Sequence, residues 1–277
     1  QGVHPDYDLA IDAVISGAAG SGIIKDSVIY SWGTSTGGSI RFEGANTFDG
    51  NVTINDSSKG SLILANNQAL GVPSTARTVT VGYYGSLALD GGISIYDPSD
   101  RITLALKGTG DSRLAGNSGA NSSQSGALFS LGGTNTVPCK ITLLDNTQIG
   151  SQKRLVLKGV LNGGGKTLTV AGPGETAFAG GALVTNVSSI TLSANATLSI
   201  ENTAAANSAD RITNTVPFTL NGGGIRFANG GGAANYTEAI GAVTVNTGTN
   251  VFYASRADVG QTSALVIASI TRNGGTV

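Results

Sequence analysis

The sequence predicts an all-β chain folded as a right-handed parallel β-helix, a single elongated domain, and three observations predict it. Aliphatic triplets that alternate with period two recur at a spacing of about ten to twelve residues, each too short to stand alone. Gly is 42 of 277 residues, and Gly, Asn, Asp and Ser fill the gaps between triplets, the composition of a chain that turns often. Aromatic residues are only 5 %, which favours aliphatic ladders of stacked coils over a sandwich, whose gap of about 10 Å is usually filled with rings. Parallel crossovers are right-handed in about 98 % of cases, and the handedness expected here rests on that rule.

Residues 1–22 differ from the rest. The run from Asp6 to Ile15 alternates enough for a strand, and the segment is expected to cap or join the solenoid, which needs an atypical terminal unit. The β-helix proper is expected over 23–277, beginning with Val28-Ile29-Tyr30 and Trp32. Its organising stretch, 38–71, holds Ile40-Arg41-Phe42, Val52-Thr53-Ile54 and Leu62-Ile63-Leu64. Further triplets follow at Val79, Leu87, Ile93 and Ile102. Residues 109–126 have few apolar side chains and read as one long excursion, the expected place of a variable or functional loop. Regularity returns at Ile141, Leu155, Leu168, Ile190 and Leu198, then, after a polar insert at 201–210, at Phe218, Ile225, Val243, Val251 and Leu265.

Short identities recur. Asp100-Arg101-Ile102-Thr103 returns as Asp210-Arg211-Ile212-Thr213, Asn135-Thr136-Val137-Pro138 as Asn214-Thr215-Val216-Pro217, and Leu161-Asn162-Gly163 as Leu220-Asn221-Gly222. All three pairs are expected to be remnants of a duplicated coil. With coils of roughly 20 to 30 residues the chain forms about nine to thirteen of them, a rod of some 45 to 60 Å.

Charge and cysteine usage exclude several classes. Net charge is -1, from 16 basic and 17 acidic residues spread along the chain, so there is no footprint for nucleic acid. No run reaches the 18 or so apolar residues of a membrane helix, so no membrane insertion by this segment is expected. Cys139 is alone, so no intrachain disulfide forms. The chain starts at Gln1 and has no Met, so it is expected to be a processed product or a fragment.

The stretch Gly44-Ala45-Asn46-Thr47-Phe48-Asp49-Gly50, followed by Val52-Thr53-Ile54-Asn55 and Gly60-Ser61-Leu62-Ile63-Leu64, resembles the autotransporter-associated β-strand repeats of bacterial surface proteins. Residues 218–277 are similar to such proteins as well, and the clear match covers about half the chain. The resemblance implies a right-handed parallel β-helix displayed outside the cell, often inside a very large polypeptide, and it carries over no catalytic residue.

The expected function is therefore an extracellular structural or adhesive repeat protein of the bacterial surface. It would be non-enzymatic and without cofactor or metal, and it would associate with itself end to end or with neighbouring repeats of a larger chain. A polysaccharide-active β-helix enzyme or a carbohydrate-binding module is the alternative, and polysaccharide the second candidate partner. Against the enzyme, the Asp-Asp pair and Gly-His-Gly of polygalacturonase-like chains are lacking, and the sole histidine is His4. Asp90, Asp97, Asp100 and Asp111, with Arg101 and Arg113, form the densest acidic region, but Asx residues at turns more often bond their own backbone. Gly172 to Ala177 and Gly163 to Thr167 mimic nucleotide loops in letters only; the first is expected to be a turn. Tyr83, Tyr84 and Tyr96 are the candidate aromatic strip for stacking on sugars, set against ordinary packing of tyrosine at strand ends. With Asp111 and Arg113 they make up the candidate binding or assembly surface.

Overall fold

A computed structural model describes residues 8–26, 37–55, 60–112, 114, 125–232 and 235–277. The Val28-Ile29-Tyr30 run, Trp32, His4 and Arg113 lie outside the described residues. Twenty-three strands follow one another, and no helix occurs among the described residues. They are β1 (Leu9–Ile11), β2 (Ile23–Lys25), β3 (Ile40–Phe42), β4 (Val52–Ile54), β5 (Ser61–Leu64), β6 (Arg77–Val81), β7 (Ser86–Leu89) and β8 (Ile102–Gly108). Next come β9 (Leu128–Ser130), β10 (Thr134–Val137), β11 (Lys140–Ser151), β12 (Arg154–Leu157), β13 (Leu161–Ala171), β14 (Glu175–Phe178), β15 (Val184–Leu192) and β16 (Thr197–Asn202). The last are β17 (Phe218–Asn221), β18 (Gly224–Asn229), β19 (Tyr236–Ile240), β20 (Val243–Thr247), β21 (Val251–Ser255), β22 (Ser263–Ile267) and β23 (Ile270–Arg272).

No strand named here pairs with its sequence neighbour as a hairpin; every pairing between them is parallel and joins one coil to the next, so the chain is a β-solenoid of about 9 turns. Three ladders run along it. The first is β1-β3-β5-β7-β9-β11-β13-β15-β17-β20-β23, and the second is β10-β12-β14-β16-β18-β21. The third begins β2-β4-β6-β8, continues through the first halves of β11, β13 and β15, and ends with β19 and β22. From β10 on, successive coils visit the third, first and second ladder in turn, which gives three corners; in the earlier coils the described strands lie in the third and first ladders only.

The core is built from the triplets. On the first ladder Leu62, Leu87, Leu128, Ile149, Val170 and Leu192 stack in register and are essentially inaccessible to water. Period two sends their neighbours outward. Burial of each such side chain contributes about 1.5 to 3 kcal/mol, and stacking repeats the same contact at every rung. Rings enter the core too: Phe178 and Phe227 on the second ladder and Phe218 on the first are fully buried.

Coil length is uneven. From Ile40 on, partners on the first ladder are 21 to 28 residues apart, except that 41 separate Leu87 from Leu128. That long interval contains the 109–126 excursion. Its Leu114 packs on the outer side of the sheet against Ile63, Ala88 and Phe129.

Three sequence expectations are corrected, and one expected strand, at Leu168, proves longer than its triplet. Ile93 to Ile95 is not a strand but a single bridge, Ser94 to Thr136, because the side-chain oxygen of Asn135 takes the N–H groups of Gly92 and Ile93. Gly172 to Ala177 is a turn only as far as Gly174; Glu175 opens β14. Residues 161–171 form one strand, which bends round a corner at Gly163 to Gly165 through register shifts. Two of the three repeated identities sit at unlike places: Asn135 to Val137 is in the second ladder, whereas Asn214 to Pro217 turns the corner into the first. Only the Asp-Arg-Ile-Thr pair is structurally equivalent, at the entry to the third ladder.

Candidate functional site

Tyr83 and Tyr84 occupy the tight turn between β6 and β7, at the corner between the third and first ladders, closed by the Gly85 N–H donating to Gly82 O at 3.2 Å. Alternation breaks at this turn, so both rings stay outside: Tyr83 is 38 % and Tyr84 55 % exposed. Their centroids lie 6.4 Å apart with planes inclined by 46°. The Tyr83 hydroxyl donates to Asp145, on the bend of β11, and Lys107 Nζ stands 5.0 Å from the Tyr83 ring centroid. That hydroxyl, together with the Asn146 N–H, holds the Asp145 carboxyl below the usual range, and Lys166 and Lys107 add to the effect.

The other candidate residues are not on this strip. Tyr96 follows the Ser94 bridge at the corner between the second and third ladders, its N–H donating to Asn67 O at 2.8 Å. Asp111 shares the tyrosines' corner but is buried: its N–H donates to Ser86 Oγ at 2.8 Å, and Ser61 Oγ approaches its carboxylate at 3.3 Å. Arg113 lies outside the described residues. The four aspartates do not converge. Asp90 pairs with Arg41 at 2.6 Å, Asp97 accepts the N–H groups of Arg101 and Ile102, and Asp100 pairs with Lys140 at 2.7 Å. Among the described residues no group of three or more His, Cys, Asp or Glu could hold a metal ion. Cys139 is fully buried, and burial pushes its thiol up, beyond reach of the thiolate form.

Two further polar clusters were not anticipated. On the outside of the second ladder Arg154 spans two rungs, pairing with Glu175 and Glu201 at 2.6 Å each, while Arg226 reaches Glu175 at 3.2 Å. These long side chains cover Ala177 and Ser199, which are inaccessible on an outer face. The cluster is a cover, with its charges matched internally.

The second cluster surrounds Arg211. A groove of about 430 Å³ lies between residues 180–183 and 205–208. Arg211 lines it, but its donors are taken: Nη1 by Gly180 O and Ala182 O, both at 2.8 Å, and Nη2 by Asn202 Oδ1 at 2.7 Å and Ala206 O at 2.9 Å. Nε is buried without a partner, so the guanidinium braces the two loops and offers nothing to a ligand. Arg101 does the same on a smaller scale, donating to Pro73 O at 2.8 Å.

Beside Arg211, the buried Glu238 side chain accepts the N–H of Arg211 at 3.1 Å and of Ile212 at 2.9 Å. A side chain thus replaces the backbone acceptors of the next rung. Burial raises the Glu238 carboxyl to about 7 from 4.5, against the pull of those two donors and of Arg211. Because the folded value lies above the unfolded one, the native state binds the extra proton. Its contribution to stability is complete below about pH 4.5 and lost as pH rises through about 7, about 3 kcal/mol in all. Glu238→Gln is therefore expected to flatten the fall in melting temperature between pH 5 and pH 8. An unchanged slope relative to the parent would refute this.

Compared with protein-family models, with curated proteins and with solved structures, the chain matches none.

Proposed function

We propose that the chain is a non-catalytic structural or adhesive module of a bacterial surface protein, of the autotransporter-associated kind, which continues its ladders by joining end to end with further coils. One observation supports this best. On the last rung the inward residues Phe252, Leu265 and Ile267 are only partly buried and Ile270 is half exposed, and among the described residues β21, β22 and β23 have no strand beyond them in their ladders. The first coil exposes Leu9, whose partner Ile40 packs against the core, in the same way. Free parallel edges with apolar flanks pair readily with another strand, and repeat arrays bury such surfaces against the next unit. Placement outside the cell is part of the same reading, which the Gly44 to Leu64 pattern supports. No helix among the described residues is long and apolar enough to cross a membrane.

The test is sedimentation velocity and negative-stain electron microscopy of the purified chain over a hundredfold range of concentration. Linear multimers one solenoid wide are expected to grow with concentration. A monomer throughout, or multimers that grow sideways only, would defeat the reading.

A further inference from the structure

We propose that the outer face of the first ladder, over β13, β15, β17, β20 and β23, binds crystalline water: an ice surface, held by a column of threonines. The inference goes beyond end-to-end assembly and does not depend on it.

Thr169, Thr191, Thr219, Thr244 and Thr271 pair in register on five consecutive rungs. At about 4.8 Å per rung the column is some 19 Å long. The chain neighbours of each threonine point inward, and from Leu168 and Val170 on β13 to Val243 and Val245 on β20 they are buried, which anchors the column to the core. Two heavy atoms on Cβ stiffen each threonine at χ1, so a methyl and a hydroxyl repeat at the rung spacing before any ligand arrives.

No protein group competes for the array. None of the five hydroxyls makes a hydrogen bond to another described residue. Elsewhere threonine hydroxyls are spent on the backbone: Thr147 donates to Leu106 O, Thr185 to Leu161 O and Thr213 to Val184 O. The earlier rungs of the same face are different again, since Leu114 covers Ile63, Ala88 and Phe129. On the third ladder the run is broken early, because Thr53 and Thr80 are followed in their column by Ala105.

The chemistry of the face selects the occupant. Two residues before each threonine stand Thr167, Ser189, Pro217, Ala242 and Ser269, so neither column carries a charge, although the chain has 16 basic and 17 acidic residues. An ionic partner finds no counter-charge there. A glycan finds no ring to stack on, and a protein finds none of the aromatic or arginine anchors that dominate interfaces. The face instead offers a neutral grid that repeats at about 4.8 Å along the axis and about 6.7 Å along each strand. Ice is uncharged, repeats its oxygen atoms on the prism face at a spacing close to that between rungs, and can donate or accept at every one. The methyls exclude liquid water between hydroxyls that take lattice positions, and an array already rigid loses little entropy on contact.

The test is slow growth of ice from a dilute solution of the whole chain, with protein then measured in the ice and in the remaining liquid. The parent should be incorporated into the ice, and an inert protein of similar size should be excluded. Thr219→Lys and Thr244→Lys project a charged side chain from the array and should each stay in the liquid, with unchanged melting temperatures. Thr134→Lys, on the outer side of the second ladder, should be incorporated as the parent is. Exclusion of the parent, full incorporation of both array variants, or equal exclusion of Thr134→Lys would overturn the proposal. Exclusion of the parent together with its retention on microcrystalline cellulose would assign the face to a solid polysaccharide instead. Multimer growth is scored separately by sedimentation, so failure of either idea leaves the other standing.

Discussion

Arg211→Leu should destabilise the chain by about 4 kcal/mol, at the far end of single-substitution effects. The leucine fills part of the volume but leaves the carbonyl oxygens of Gly180 and Ala182 without their donor, while Ala206 O and Asn202 Oδ1 each keep one backbone N–H, from Thr203 and Ser208. Each buried acceptor so orphaned costs about 1 to 3 kcal/mol, and water entering the groove recovers a share of that. Since each coil of a solenoid touches only its neighbours, the damage should stay local. Hydrogen exchange is the appropriate measurement: amides of β14 to β16 should exchange faster by orders of magnitude, while those of β4 to β8 should be unaffected. Uniform protection across the chain would show that the guanidinium is not a brace.

Gly71→Ala should cost about as much, for a steric reason. Gly71 has φ +82°, a left-handed conformation, and a Cβ built there would stand 2.0 Å from the Phe48 carbonyl oxygen of the preceding coil. Left-handed backbone alone costs a non-glycine residue about 1 kcal/mol or more. The clash is with backbone, which can move only by forcing the two coils apart and opening the ladder between β3 and β5. A loss of at least 3 kcal/mol in urea unfolding is expected. Gly91→Ala is the control: it has φ +86° but nothing within 4 Å, so it should cost only the conformational part.

The architecture was legible in the sequence because inward residues repeat with a local signal. Leu62-Ile63-Leu64 or Ile190-Thr191-Leu192 announces a strand without reference to any other part of the chain. What could not be read is the phase of each strand within its coil. Without it, Tyr96 looks like a companion of Tyr83, although it stands on a different corner, and Asp111 looks like a surface acid although the excursion buries it. Lys107 and Asp145 were unremarkable letters, since only stacking brings Asp145 to Tyr83 across 62 positions.

The asparagine hubs show the same limit and a partial remedy. Asn46, Asn135 and Asn250 are each buried at a corner, where the side-chain oxygen takes backbone N–H groups and the side-chain nitrogen donates to carbonyl oxygens. Two of them share the spelling Gly-Thr-Asn, Gly133 to Asn135 and Gly248 to Asn250, with the glycine at positive φ. That three-letter word was a usable corner marker. It was hidden because Asn is common in this chain, so the word does not stand out beside longer identities, two of which occupy unlike positions.

The 41-residue interval between Leu87 and Leu128 leaves the stacking above and below it in register. Closing a loop costs only about 0.6 kcal/mol for each doubling of its length, so a corner can lengthen at little penalty once both ends are anchored in ladders. A lineage of such chains is thus free to try new segments at the corners while the inward columns hold the rod together. Grafting a foreign peptide between Leu114, which packs on the sheet, and the buried Ser125 should be the most forgiving way to decorate this scaffold.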